Sequence, residues 1–144
     1  MKKFPLIALS CLMLFLAACA GTGTKDITSI SFTKPTAVGE SNLFFYRESK
    51  YVAGGQLIKV LVNGQEIGKL GNGEFEKFKV KAGQTSIKAG LSNILALGMT
   101  TDSYSFTAKS GENYYFLLSY NQKFFTGGWK ITETSERGFK NAVQ

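Results

Sequence analysis

From Ile27 onward, apolar and polar positions alternate with a period of two, the spacing that sends successive side chains to opposite faces of a strand. Ile30 and Phe32 alternate with Ser29, Ser31 and Thr33, and Phe78 and Val80 with Lys77 and Lys79. Thr85, Ile87 and Ala89 alternate with Ser86 and Lys88, and Tyr104, Phe106 and Ala108 with Ser103, Ser105 and Thr107. Trp129 and Ile131 alternate with Lys130 and Thr132. Two stretches depart from the rule. Leu43-Phe44-Phe45-Tyr46 is continuously apolar, as suits a strand buried on both faces, and Asn113 to Tyr120 is the most apolar strand of the set.

Turn chemistry separates these runs. Asn63-Gly64 joins Ile58–Val62 to Gln65–Leu70, and Asn-Gly is the pair that a two-residue hairpin turn with two positive φ angles requires. Gly71-Asn72-Gly73, Ala82-Gly83 and Lys109-Ser110-Gly111-Glu112 supply further turns. The pattern predicts about eight strands in one all-β domain over residues 27–144, a small antiparallel β-sandwich. Ser135 to Val143 is expected to close the chain as a short helix, capped by Thr134 or Ser135 and weakened by Gly138. Leu91 to Met99 fits either a core element or an exposed apolar loop that touches a membrane or a partner.

The first 18 residues follow a different logic. Lys2 and Lys3 precede an almost wholly apolar stretch from Phe4 to Phe15, and small residues follow at Ala17 and Ala18. This is the layout of a secretory signal peptide, and the stretch is shorter than the roughly 20 residues a membrane-spanning helix needs. Leu16-Ala17-Ala18-Cys19 resembles the bacterial lipobox, which implies cleavage before Cys19 and acylation of its thiol. The resemblance implies three acyl chains in a diderm bacterium. At about 0.8 kcal/mol per buried methylene, several chains together make release negligible. Ala20, in place of an aspartate after the cysteine, resembles the outer-membrane sorting pattern. Residues 19–26 then read as a lipidated, glycine-containing tether.

Composition narrows the chemistry. Of the 144 residues, 17 are basic and 10 acidic; loss of Lys2 and Lys3 leaves 15 against 10, mildly basic and dispersed. Cys11 leaves with the leader, so Cys19 is the sole mature cysteine and an internal disulfide is excluded. The chain has no histidine, which excludes Ser-His-Asp and Cys-His catalysis and histidine-based metal sites. Glu74 and Glu76 are read as an exposed strand face rather than a paired-carboxylate site, and Asp102 lies near a strand start. Neither metal nor cofactor is expected.

Aromatics cluster near one probable loop. Tyr120, Phe124, Phe125 and Trp129 flank Lys123, Gly127 and Gly128. They either close one end of the core or form a candidate binding surface, since aromatic faces beside a cation stack sugars and peptide side chains. Tyr46, Arg47 and Tyr51 admit the same two readings.

The succession Leu43-Phe44-Phe45-Tyr46-Arg47, Lys59-Val60-Leu61-Val62-Asn63-Gly64, Ile67-Gly68-Lys69-Leu70, Lys81-Ala82-Gly83 and Gly111-Glu112-Asn113-Tyr114-Tyr115 resembles an uncharacterised family of small bacterial lipoproteins. The resemblance spans about residues 42–140 and departs at Ala82, where the family often has proline. It implies an envelope β-sandwich and transfers no catalytic residues. The expected function is that of a membrane-anchored, non-catalytic binding or assembly module of the cell envelope. It would be lipid-held, most simply on the outer membrane facing the periplasm, with an envelope protein or cell-wall polymer as partner. Nucleic acid is not expected as a partner, since the export signal directs the domain to a compartment that offers little of it. A surface lipoprotein meeting host molecules and a carboxylate- or serine/lysine-based envelope hydrolase are the alternatives.

Overall fold

A computed structural model of the chain describes residues 21–51, 54–91, 102–122 and 127–144. Eight strands follow in order: β1 (Glu40–Arg47), β2 (Ile58–Val62), β3 (Gln65–Leu70), β4 (Phe75–Lys81), β5 (Gly83–Leu91), β6 (Asp102–Ala108), β7 (Asn113–Gln122) and β8 (Gly127–Thr134). They form two four-stranded sheets, β4-β1-β7-β8 and β3-β2-β5-β6. A helix, α1 (Glu136–Val143), ends the chain. The all-β sandwich and terminal helix read from the sequence are the observed architecture.

Five of the six strand pairs in these sheets are antiparallel, and β1 runs parallel to β7. Parallel neighbours cannot be joined by a tight turn. Here the connection leaves β1, builds the whole of the second sheet together with β4, and returns at β7. At the Asn63-Gly64 hairpin both residues take positive φ, 51° and 81°, as the turn demands.

The main core lies between the sheets. Leu43, Phe45, Ile58, Val60, Ile87, Phe116 and Leu118 are all buried there, with Trp129 and Ile131 closing it on β8. A second cluster covers the outer face of the first sheet, where Phe44, Tyr46, Phe75 and Tyr115 meet Phe139 of α1. The continuous apolar run in β1 therefore serves two cores, one on each face. Burying a side chain of this size contributes roughly 1.5–3 kcal/mol. Ser135 caps α1 by accepting from the Gly138 N–H at 3.1 Å.

Ile30 to Thr33, expected as a strand, joins no sheet. The segment crosses the outer face of the first sheet as extended chain. Asn113 Nδ2 donates to the Phe32 carbonyl at 2.7 Å and Asn42 Nδ2 to the Thr33 carbonyl at 3.0 Å. These side-chain amides take the place of a ladder, and Phe32 stacks on Phe44 with centroids 5.1 Å apart. The alternation marks one half-buried face, as expected, but the partner of that face is a sheet surface and not a sheet edge.

Both open seams of the sandwich are closed. At β6 and β8, Asp102 Oδ2 accepts from the Ile131 N–H at 2.8 Å, and the Tyr104 hydroxyl donates to Glu133 at 2.5 Å. At β3 and β4 the seam is closed by residues 22–24. The Thr22 N–H donates to the Lys69 carbonyl at 2.7 Å, and Thr24 and Phe75 exchange two backbone bonds of 2.9 and 2.8 Å. The described part of the segment read as a spacer thus lies against the sandwich edge. Asp26 then caps a 3-10 turn at Ile27–Ser29 by accepting from the Thr28 N–H.

Candidate functional site

The sandwich has two poles. One gathers the ends of β1, β3, β5 and β7 and the starts of β2, β4, β6 and β8. Arg47, Trp129, Tyr120 and Tyr51 all belong to this pole.

Arg47, the last residue of β1, turns into the main core because it shares the inward side of Leu43 and Phe45. Its side chain is buried. Nη1 donates to the Leu70 carbonyl at 2.9 Å and also to the Gln56 carbonyl, and the guanidinium carbon lies 5.0 Å from the centre of the Trp129 ring. Burial pulls the guanidinium below its ordinary pKa, and the nearby Glu74 carboxylate opposes that pull. Arg47 thereby ties β1, β3, the β1–β2 connection and β8 together. Of its two readings from the sequence, packing at the strand end describes it, and the buried Tyr46 likewise.

Trp129 is 4% exposed, and Tyr120 on the neighbouring strand lies against it with ring centroids 5.4 Å apart. Gly127 makes room for this pair, since a Cβ there would sit 1.7 Å from the Tyr120 hydroxyl oxygen. Among the described residues the buried Trp129 Nε1 meets no acceptor. Phe124 and Phe125, the other members of the aromatic cluster, lie outside the described residues, as do Leu16, Ala17, Ala18, Cys19 and 92–99 of the ambiguous Leu91–Met99 stretch.

Tyr51, in contrast, is fully exposed. With Lys50, Tyr120 and Gln122 it lines a recess of about 230 Å³. Ligand pockets generally run from about 300 to 1,000 Å³ and enclose most of the ligand. A smaller, open recess of two phenols, an amine and an amide suits contact with a broad surface better than capture of a small molecule. A groove of about 480 Å³ on the same pole, lined by residues including Glu48, Ser49, Lys50 and Val143, is also open.

The carboxylates do not assemble into an acid/base pair of free groups. Glu74 accepts from the Gly71 N–H at 2.7 Å, and Glu76 accepts from the Thr22 hydroxyl at 3.1 Å. Both are half-buried at the β3–β4 seam, which corrects the reading of an exposed strand face. Burial raises the Glu76 pKa, and Glu74 adds to the effect. The pattern of lysines around them was misleading because Glu76 shares the inward side of Phe78 and Val80 whereas Lys77 and Lys79 face outward. Asp102 accepts from two backbone N–H groups, those of Ser103 and Ile131. Among the described residues no group of three or more acidic, histidine or cysteine side chains could hold a metal, and no helix is long and apolar enough to cross a membrane.

The seam contacts of Thr22, and the Leu70 and Gln56 carbonyls as the partners of Arg47, carry no signal in the sequence. Only the buried-run logic at Leu43–Tyr46 hinted that the next residue of β1 continues inward on alternate positions.

No curated protein matches the chain. The family model described as "Protein of unknown function (DUF2846)" matches residues 37–129, from the turn before β1 to Trp129 on β8, and the chain belongs to that uncharacterised domain family.

Proposed function

We propose that the protein is a bacterial envelope lipoprotein, cut before Cys19, held to a membrane by acyl chains on that residue, and carrying its sandwich as a non-catalytic binding or assembly module. The observation that carries this reading is Leu16-Ala17-Ala18-Cys19 at the end of a basic and then apolar leader. Ala20 after the cysteine favours the outer membrane, and a periplasm-facing domain is the simplest arrangement. The tight side-chain roles of Asp102, Glu74 and Glu76 in backbone hydrogen bonding and seam closure favour a contact function over a hydrolytic one.

Two measurements test the proposal. Labelled fatty acid enters the wild-type protein and is lost in Cys19→Ala; an intact leader or a free thiol on the native mature protein refutes the anchor. For the module, a photo-crosslinking residue at the exposed Val38 in living cells captures a defined envelope protein or cell-wall polymer. Turnover of an envelope substrate by the purified protein, with no such adduct, refutes the non-catalytic reading.

A further inference from the structure

The place where the chain enters the sandwich fixes which end lies nearest the anchor. Thr22 is bonded to Lys69 and Thr24 to Phe75. Gly21 lies beside the β3–β4 turn, where an added Cβ would sit 2.8 Å from the Gly71 nitrogen and 2.0 Å from Glu74 Oε2. That turn belongs to the pole that also carries Tyr51 and Tyr120. Cys19 is only three residues before the bonded Thr22. A chain advances at most about 3.6 Å per residue, so three residues span no more than about 11 Å. The spacer expected to hold the domain clear of headgroups is therefore spent, in large part, on closing the seam.

Two further observations favour this pole as a lipid-facing one. Tyr51 projects from it beside Lys50 with no burial at all, an amphipathic ring next to an amine, the pairing that suits the headgroup level of a bilayer. Two of the four segments that join strand ends here read Ser-Asn-Ile-Leu-Ala-Leu-Gly-Met-Thr-Thr after Leu91 and Lys-Phe-Phe-Thr after Gln122, while the β1–β2 and β3–β4 segments are mainly polar or glycine. The turns of the opposite pole read Asn-Gly after Val62, Ala after Lys81 and Lys-Ser-Gly-Glu after Ala108. The connecting sequences richest in apolar residues thus join strand ends at this pole, the end from which the anchor extends.

We infer that the protein rests on the bilayer with the pole of Tyr51, Lys50, Tyr120 and Gln122 against the lipid headgroups. The opposite pole, with Val38 and the Asn63-Gly64 turn, points away from the membrane. This orientation rests on the lipid anchor proposed above.

Fluorescence quenching tests it with the mature acylated protein. Cys19 is acylated and Cys11 leaves with the leader, so one introduced cysteine provides the only free thiol. Tyr51→Cys and Lys50→Cys mark the near pole, and Val38→Cys, as exposed as Tyr51, marks the far one. Each carries an environment-sensitive dye and is reconstituted into vesicles of phosphatidylethanolamine and phosphatidylglycerol containing nitroxide-labelled lipid. The dye at positions 50 and 51 should be quenched several-fold more than at 38 and shift to the blue. Equal quenching at both poles, stronger quenching at 38, or no quenching at either while the protein sediments with the vesicles overturns the orientation and leaves the anchor standing. Protein that remains in the supernatant overturns the anchor and the orientation together.

Discussion

The Arg47 guanidinium lies 5.0 Å from the centre of the Trp129 ring while Nη1 donates to the Leu70 carbonyl, so one buried cation joins the two sheets at their common end. Its removal leaves a void and strips the Leu70 and Gln56 carbonyls of a charged donor. Arg47→Ala should destabilise the domain by about 3–5 kcal/mol. Arg47→Lys should recover less than half of the loss, because a point-like ammonium lacks the planar fork that bonds and stacks at once. Urea unfolding followed by tryptophan fluorescence measures both, and full recovery by lysine would refute the assignment.

Thr22 bridges the β3–β4 seam through its backbone N–H, which donates to the Lys69 carbonyl, and through its hydroxyl, which accepts from the Lys69 N–H and donates to Glu76. Thr22→Val removes the hydroxyl and keeps the shape. The expected cost is about 1–2 kcal/mol, felt locally. Hydrogen exchange should accelerate at the Lys69 and Phe75 amides and remain unchanged in β5. Unchanged exchange at those two amides would show that the seam is held by other contacts.

Phe139 is wholly buried and meets Phe32, Phe44, Tyr46 and Tyr115 at centroid distances of 5.6–6.2 Å. Phe139→Ala should cost about 3–5 kcal/mol. Ser135→Ala, which deletes the helix cap, should cost about 1 kcal/mol. Circular dichroism during thermal unfolding reads both, and a Phe139 variant as stable as the parent would mean that α1 adds nothing to the outer core.

Burial pushes the Tyr115 hydroxyl up to about 12, and its hydrogen bond to Glu136 adds to the shift while one from Asn113 opposes it. The folded state therefore keeps this proton at pH values where the unfolded chain has lost it. The stability it contributes is complete below about pH 10 and falls as pH rises toward 12. Burial lowers the Lys77 pKa and acts in the opposite direction in that range, so the comparison of variants carries the test. Tyr115→Phe should flatten the alkaline decline relative to wild type in pH-dependent urea unfolding. Parallel curves would refute the linkage.

Local chemistry made the hairpin and the buried strand legible. Asn63-Gly64 specifies its turn because few other pairs tolerate two positive φ angles. The run Leu43–Tyr46 announces burial on both faces because exposure of either would leave large apolar surface in water. What could not be read is what covers each face. Phe32 and Phe139 are far apart in sequence and share the rings of Phe44 and Tyr115. Thr22 and Thr24 carry no periodicity, since two residues across an edge bridge need none. The candidate surface was legible as an aromatic cluster, but the division between buried Trp129 and exposed Tyr51 depends on the position of each along its strand and loop.

The parallel pairing of β1 with β7 has a consequence for assembly. Its register couples residues 42–47 to residues 113–118, so one flank of the fully buried run in β1 waits for a partner made about 70 residues later. Ring closure over such a distance is entropically costly and slows acquisition of native structure. Until Asn113–Leu118 has been delivered, Leu43–Tyr46 is a sticky nascent ribbon, and a truncated product ending before residue 113 would be prone to clumping.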